Sequence, residues 1–182
     1  NESQENGFGC DSLIFVFNDN CWGRIYESGV SEFIDLSPVI DSCPGYPGWN
    51  PIKAARHAGS TLMTIDMDND GDKELMLGDL SFKNINLLTN GGNADTAHLT
   101  TQEMFFPQNS SYVNIDIFPA VFNVDVNNDG AKDLIAAPNI GGNAEDDQNW
   151  YYQNTGTADL PVFTFQQNDF LVDEMIDLGT GS

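Results

Sequence analysis

Residues 64–75 read TIDMDNDGDKEL, and a closely similar stretch, NVDVNNDGAKDL, follows at residues 123–134. Each stretch places acidic or amide side chains at alternate positions, then a glycine, then one more acidic residue. The two patterns begin at Asp66 and Asp125, which are 59 residues apart. Carboxylates held this close together repel one another and destabilise a fold unless their charge is neutralised. The recurrence of the pattern therefore indicates that each copy binds a cation.

The spacing of the oxygen-bearing residues favours calcium. Counting from Asp66 and Asp125, side-chain oxygens at positions 1, 3 and 5, a glycine at position 6 and a main-chain carbonyl at position 7 can wrap one ion. Position 7 is Asp72 in one copy and Ala131 in the other, and a main-chain carbonyl ligand tolerates this change of side chain. Position 9 is acidic in both copies, which predicts a carboxylate that binds the ion directly or through water. Hard oxygen donors without Cys or His predict Ca²⁺, about two ions in all. The predicted ligands are Asp66, Asp68, Asp70, Asp72, Glu74, Asp125, Asn127, Asp129, Ala131 and Asp133.

An EF-hand is the nearest rival interpretation of these loops. Its loop requires a glutamate at position 12, but that position is Leu77 in the first copy and Ala136 in the second. The flanking residues are strand-like rather than helical, and magnesium would need fewer protein ligands and retain more water. The other alternative is a pair of acidic turns without an ion, because D-N-D-G and N-N-D-G are good turn sequences.

Short apolar runs bounded by Gly, Asn, Asp and Pro predict an all-β chain. Only residues 52–57 and 96–104 offer a turn or two of helix. The predicted strands lie at residues 13–17, 23–27, 33–36, 61–65, 75–77, 85–89, 112–117, 121–124, 134–137, 150–153, 162–166 and 174–178.

A second element repeats with the loops and predicts the organisation of the chain. FIDLS at residues 33–37, NIDIF at 114–118 and MIDLG at 175–179 mark the starts of successive units. A period of about 60 residues with four strands per unit is typical of a β-propeller blade. We predict the end of a preceding blade at residues 1–32, a first blade at 33–113 with an insertion at about 37–56, a second at 114–174 and the start of another at 175–182. The chain is expected to be an incomplete part of a larger propeller.

The charge balance limits the classes of partner. The chain has 28 acidic and 6 basic residues, a net charge of −22, so nucleic acid and anionic membrane surfaces are unfavourable partners. No apolar run is long enough for a transmembrane segment. Cys10, Cys21 and Cys43 lack zinc-site spacing, and they favour a disulfide, Cys21–Cys43 or Cys10–Cys21, in an exported protein.

At the acidic loops the chain resembles the FG-GAP/VCBS repeat family, whose blades carry D-x-[DN]-x-D-G-x-x-[DE]-[LI]. DMDNDGDKEL and DVNNDGAKDL both match this pattern, and the resemblance extends over residues 56–182. It implies a calcium-stabilised propeller of a large secreted bacterial surface protein, with each ion in the loop between the first two strands of a blade. Glu74 stands where the family usually has Asp.

The expected function is non-enzymatic: a calcium-binding structural or adhesive module of a secreted or cell-surface protein, with other blades, a longer polypeptide or surface glycans as partners. No catalytic motif occurs, and neither His57 nor His98 has a recognisable catalytic partner. The alternative is a glycan-binding or glycan-degrading propeller whose active site lies outside this segment. Aromatic residues that could stack on sugars, although blade packing is the more common role for such side chains, are Trp22, Trp49, Trp150, Tyr151 and Tyr152.

Overall fold

The structure is a computed structural model that describes residues 22–27, 31–39, 59–139 and 148–172. The three cysteines, Trp49, His57, and the predicted elements at residues 13–17, 52–57 and 174–178 lie outside these ranges. Within the described residues, no helix is both long and apolar enough to cross a bilayer.

Ten strands account for the described secondary structure, together with a 3-10 turn at Trp22–Arg24. The strands are β1 Ile25–Tyr26, β2 Asp35–Leu36, β3 Ser60–Ile65, β4 Glu74–Asp79, β5 Ile85–Asn90, β6 Leu99–Glu103, β7 Pro119–Val124, β8 Asp133–Pro138, β9 Trp150–Asn154 and β10 Phe163–Gln167. They form a two-stranded sheet, β1-β2, and two four-stranded sheets, β3-β4-β5-β6 and β7-β8-β9-β10. All neighbouring strands pair antiparallel. The predicted all-β class and four strands per repeat are confirmed here; none of the sheets is closed.

The two four-stranded sheets share one hydrophobic core. Its buried members come from both sheets and from the segment that joins β6 to β7: Met76, Ile85, Leu87, Phe106, Val113, Ile115, Val121, Leu134, Ala136, Tyr152 and Phe163. The sheets approach closely at Gly78, where a Cβ atom would lie 2.1 Å from the carbonyl oxygen of Pro119. The hydroxyl of Thr61 also donates to that carbonyl at 2.6 Å. Each repeat therefore depends on its neighbour to bury its apolar surface.

The opposite face of the first four-stranded sheet packs against the two-stranded sheet. Leu75, Leu77, Leu88 and Leu99 are buried there with Ile34, and Ile25 and Leu36 pack against them. All six residues of β4 are buried, because its alternating side chains meet a neighbour on both sides of the sheet. The central sheet is thus enclosed between the β1-β2 pair and the second repeat.

Two sequence predictions were wrong. Residues 96–104, which were expected to offer at most a turn or two of helix, contain β6, whose pairing with β5 runs from Leu87↔Glu103 to Asn90↔Leu99. Tertiary pairing and the complete burial of Leu99 outweigh the weak helical propensity of this segment. Residues 112–117 are not a strand: the backbone amides of Val113 and Ile115 bond to separate partners, Phe106 and Lys83. Both side chains are nevertheless fully buried, which explains the alternating pattern.

Candidate metal centre

The acidic stretches form two loops with matching backbone conformation, one between β3 and β4 and the other between β7 and β8. Asn69 and Asn128 have φ angles of 61° and 59°, and Gly71 and Gly130 both have φ of 93°. Asparagine and glycine are the residues that adopt positive φ at least cost. Two well-separated segments thus fold to the same turn because they carry Asn and Gly at the same two positions.

Acidic side chains also fold the first loop by accepting hydrogen bonds from nearby backbone amides. The amide of Asn69 donates to Asp66 Oδ1 at 2.7 Å, and that of Asp72 donates to Asp70 Oδ1 at 2.9 Å. Lys73 Nζ lies 3.5 Å from Asp66 Oδ2, with 58% of its side chain exposed. Such an exposed ion pair contributes little to stability. One lysine therefore offsets little of the charge of five neighbouring carboxylates.

Glu74, the first residue of β4, is the most buried carboxylate of the first loop, with only 1% of it exposed. Its Oε2 accepts a 2.6 Å hydrogen bond from the amide of Met67. Its Oε1 is buried and finds no hydrogen-bond partner among the described residues, and the same holds for Oδ1 of Asp72, which is 4% exposed. An ionised oxygen buried without a partner is strongly unfavourable. The first loop therefore contains two buried carboxylate oxygens, Glu74 Oε1 and Asp72 Oδ1, that accept no hydrogen bond from the described residues.

Ligand oxygens of Asp66, Asp68 and Glu74 lie within 4.8 Å of one another. A calcium ion binds oxygens at about 2.3–2.6 Å, so two of its ligands are separated by roughly 5 Å at most. The three side chains thus satisfy the spacing for one shared cation. Asp70 lies outside this group of three, and Asp72, expected to contribute its main-chain carbonyl, also buries its side chain beside the loop.

The electrostatics of the first loop agree with its geometry. Burial raises the pKa of Glu74 and the charge of Asp68 adds to this shift, whereas the backbone amides of Met67, Glu74 and Asn90 oppose it. Burial also raises the pKa of Asp72, with further increases from the charges of Asp70, Asp68 and Asp66. Both shifts express the cost of ionising carboxylates in a crowded, poorly solvated site. A divalent cation would remove that cost, so the residues present fit the implied ion.

The second loop satisfies its buried carboxylate in another way. Asp133 is fully buried; its Oδ1 accepts from the Asn154 amide at 2.8 Å, and its Oδ2 accepts from the Val126 amide at 3.1 Å and the Tyr151 hydroxyl at 3.2 Å. Within the described residues, no group of three acidic side chains comparable to that of the first loop occurs here. The two predicted sites are therefore unequal: the second has fewer carboxylates, and its position 9 already has protein partners.

Tyr151 and Asn154 were not predicted as parts of this site. Both lie on β9, and only the register that places Leu134 opposite Tyr152 brings them beside Asp133. Burial, followed by the charge of Asp133, raises the pKa of Tyr151 to about 12, so the hydroxyl remains a donor at neutral pH. Leu87 occupies the corresponding position of β5 by the matching register of Leu75 with Leu88. The local motif gave no signal of this difference.

The other residues of the second loop form the same turn, but without a buried carboxylate oxygen that lacks a hydrogen bond. In the second loop, the amide of Asp129 donates to Asn127 Oδ1 at 2.9 Å and to Asp125 Oδ1 at 3.2 Å, and the amide of Ala131 donates to Asp129 Oδ1 at 2.8 Å. These contacts alone would be compatible with an acidic turn that binds nothing. Of the two loops, the first therefore provides the stronger indication of a metal site.

Three of the aromatic residues considered for sugar stacking are used in packing. The Trp150 and Tyr152 rings stack at 6.4 Å, and both belong to or contact the shared core, while the Tyr151 ring stacks on Phe170 at 4.8 Å. Trp22 is 58% exposed.

No protein-family model, curated protein or solved structure matches the chain.

Proposed function

We propose that this chain is a calcium-binding, non-enzymatic structural module of a secreted or cell-surface bacterial protein. Its two four-stranded repeats would be blades of a larger propeller of the FG-GAP/VCBS type. Calcium would bind in the first loop through Asp66, Asp68 and Glu74. The second loop would hold an ion more weakly, since its position 9 carboxylate is occupied by hydrogen bonds.

One observation carries this proposal: the buried, unpartnered Oε1 of Glu74 beside the carboxylates of Asp66 and Asp68. A turn that bound nothing would have no reason to bury an ionised oxygen next to two further negative charges. Oxygen donors without nitrogen or sulfur suit calcium or magnesium. The charge and number of the carboxylates favour calcium, which accepts more protein ligands and less regular geometry than magnesium.

The proposed role of the ion is structural. The first loop joins β3 to β4, and β4 lies at the centre of the packing between the β1-β2 pair and the second repeat. An ion that neutralises this loop would stabilise the folded chain in proportion to its preference for the folded state. An adhesive role would then depend on surfaces that the ion holds in place.

Glycan binding is the second candidate function, and its support is narrower. Among the described aromatics proposed for sugar stacking, Trp22 alone presents a largely exposed ring, because Trp150, Tyr151 and Tyr152 pack against other rings. Titration with a panel of oligosaccharides, followed by the fluorescence of Trp22 against a Trp22→Phe variant, would test this function separately from calcium binding.

Isothermal titration of chelator-stripped protein with calcium tests the main proposal. We expect one tighter binding event that is lost or weakened at least about tenfold in Asp68→Ala, because one of three converging carboxylates is removed. Asp95→Ala is the matched control, since Asp95 is an exposed aspartate in a turn outside both loops. Absence of binding to the folded wild-type chain, or equal loss in both variants, would contradict the proposal.

A further inference from the structure

One face of the first four-stranded sheet is covered by the opposite face of the second. Strand pairing places Met63, Met76 and Leu87 in one row across β3, β4 and β5. Met76 and Leu87 are buried in the shared core, and Met63 packs against it. The second sheet covers this row with side chains that include Val121 and Leu134. Successive sheets therefore pack through opposite faces, the row of one sheet against the reverse side of the next.

The second sheet repeats this row, but the described residues leave it largely uncovered. Strand pairing places Phe122, Ile135 and Tyr151 at the corresponding positions of β7, β8 and β9. Phe122 is 54% exposed and Val124, two residues further along β7, is 43% exposed. Phe170 extends the row, since its ring stacks on that of Tyr151 with the centroids 4.8 Å apart. We call Phe122, Val124, Ile135, Tyr151 and Phe170 the open face.

The open face has the composition of an interface rather than of a solvated surface. None of its five side chains is charged, in a chain with 28 acidic and 6 basic residues. A contiguous apolar surface of this kind marks a site of protein contact. Met63 and Ile65, the counterparts of Phe122 and Val124 in the first sheet, pack against the shared core. The same positions therefore form an interface in the first repeat and a surface in the second.

The sequence after the second sheet indicates what covers the open face. FIDLS at residues 33–37 and NIDIF at 114–118 precede the first and the second four-stranded sheet. Their isoleucines, Ile34 and Ile115, are 3% and 0% exposed, and each belongs to a buried cluster with residues of the sheet that follows. MIDLG at 175–179, outside the described residues, is a third copy of this sequence element and follows the second sheet. The order of the sequence thus places the opening element of a further repeat after the sheet that bears the open face.

We propose that the open face packs against a further four-stranded repeat of the same kind. The partner presents the reverse side of its sheet, with aliphatic and aromatic side chains at the positions of Val121, Leu134 and Tyr152. This contact continues the packing of opposite faces already present between the first two repeats. A second copy packed open face to open face would instead join two identical faces. The inference rests on the repeat architecture of the proposed function and is independent of calcium.

A chain extended by one repeat tests the proposal. It consists of residues 1–179 followed by a second copy of residues 119–182, so that the third copy of the element leads into a third four-stranded sheet. Because each repeat buries its apolar surface against its neighbour, an appended repeat that does not pack on the open face will not fold with the rest. We expect the extended chain to unfold in urea as one cooperative unit, with a midpoint above that of the existing chain.

Phe122→Asp measures whether the open face is buried in the extended chain. In the existing chain it should change the melting temperature by less than about 2 °C, because this side chain is 54% exposed. In the extended chain it should lower the melting temperature by at least about 5 °C, because it places an unpaired charge in the contact. The matched control is the same substitution at the corresponding phenylalanine of the appended copy, whose own row remains exposed. That control should have only the small effect seen in the existing chain.

Three results would overturn the proposal. The first is an appended repeat that unfolds separately, and the second is an equal effect of the substitution at the two phenylalanines of the extended chain. The third is a dimer of the existing chain in sedimentation velocity at about 100 µM that Phe122→Asp dissociates, because a second copy would then occupy the open face.

Melting is measured in chelator and again in calcium, which separates this inference from the proposed calcium site. Burial of Phe122 in the extended chain should occur in both conditions, because none of the open-face side chains belongs to the first loop. An existing chain that binds no calcium in titration, combined with the expected effect of Phe122→Asp in the extended chain, would contradict the calcium site alone.

Discussion

Glu74→Gln separates two effects of the buried carboxylate: its electrostatic cost without an ion and its proposed contribution as a calcium ligand. The glutamine oxygen can still accept the bond from the Met67 amide, which is 2.6 Å from Oε2. The substitution removes the charge from a side chain that is 1% exposed. We therefore expect opposite effects of the same change in chelator and in calcium.

The expected magnitudes follow from the burial and from ligand linkage. In chelator, loss of an unpartnered buried charge should raise the free energy of unfolding by about 1 kcal/mol, or about 2–4 °C in melting temperature. In calcium at about 100 times its dissociation constant, wild type gains about 2.7 kcal/mol, or about 5–10 °C. The variant should show less than half of that calcium-dependent increase, because one of three convergent carboxylates is gone.

Thermal melting followed by circular dichroism measures both effects in one series. Glu103→Gln is the matched control, a half-buried glutamate of β6 whose Oε1 accepts the Gln108 amide at 2.7 Å, away from the acidic loops. It should retain the full calcium-dependent increase. The reasoning would be refuted if Glu74→Gln kept the wild-type response to calcium, or if it melted several degrees below wild type in chelator.

Three further predictions concern the second loop, pH and the contact between the sheets. Asp133→Asn should lower the free energy of unfolding by about 2–4 kcal/mol in urea titrations, equally with calcium and with chelator, because its bonds come from the protein. In chelator, the free energy of unfolding should increase as pH falls from above the raised pKa values of Glu74 and Asp72 in the folded state toward their lower values in the unfolded state. The reason is that the folded state binds these protons more tightly. In calcium, the melting temperature should instead fall as the pH is lowered, because protons compete with the ion for the carboxylates. Gly78→Ala should cost about 1–3 kcal/mol by urea unfolding, since its Cβ would lie 2.1 Å from the Pro119 carbonyl oxygen.

Much of the strand layout could be predicted because turns divide this chain clearly. The loops and glycines that bound β3, β4 and β5 place those strands within one or two residues of their observed ends. The failures come from segments whose structure depends on distant partners. β6 is a strand because it pairs with β5, and residues 112–117 bury alternate side chains without forming a strand ladder.

The candidate site was predictable to the extent that it is local. The ligands predicted from the oxygen spacing include Asp66, Asp68 and Glu74, whose oxygens converge within one loop. The same spacing predicted a calcium ion in each of the two loops, because their motifs are alike. The inequality arises chiefly from Tyr151, whose hydroxyl reaches Asp133 from β9, whereas its counterpart on β5 is Leu87. No spacing within residues 125–133 reports contacts made by a strand that begins 17 residues after Asp133.

Anomalous X-ray scattering from crystals grown with calcium tests most directly whether the first loop holds a calcium ion, as we propose. We predict an anomalous peak within about 2.3–2.6 Å of carboxylate oxygens from Asp66, Asp68 and Glu74, stronger than any peak in the second loop. A first loop without a peak, with Glu74 Oε1 bonded instead to water or to a protein donor, would contradict the account.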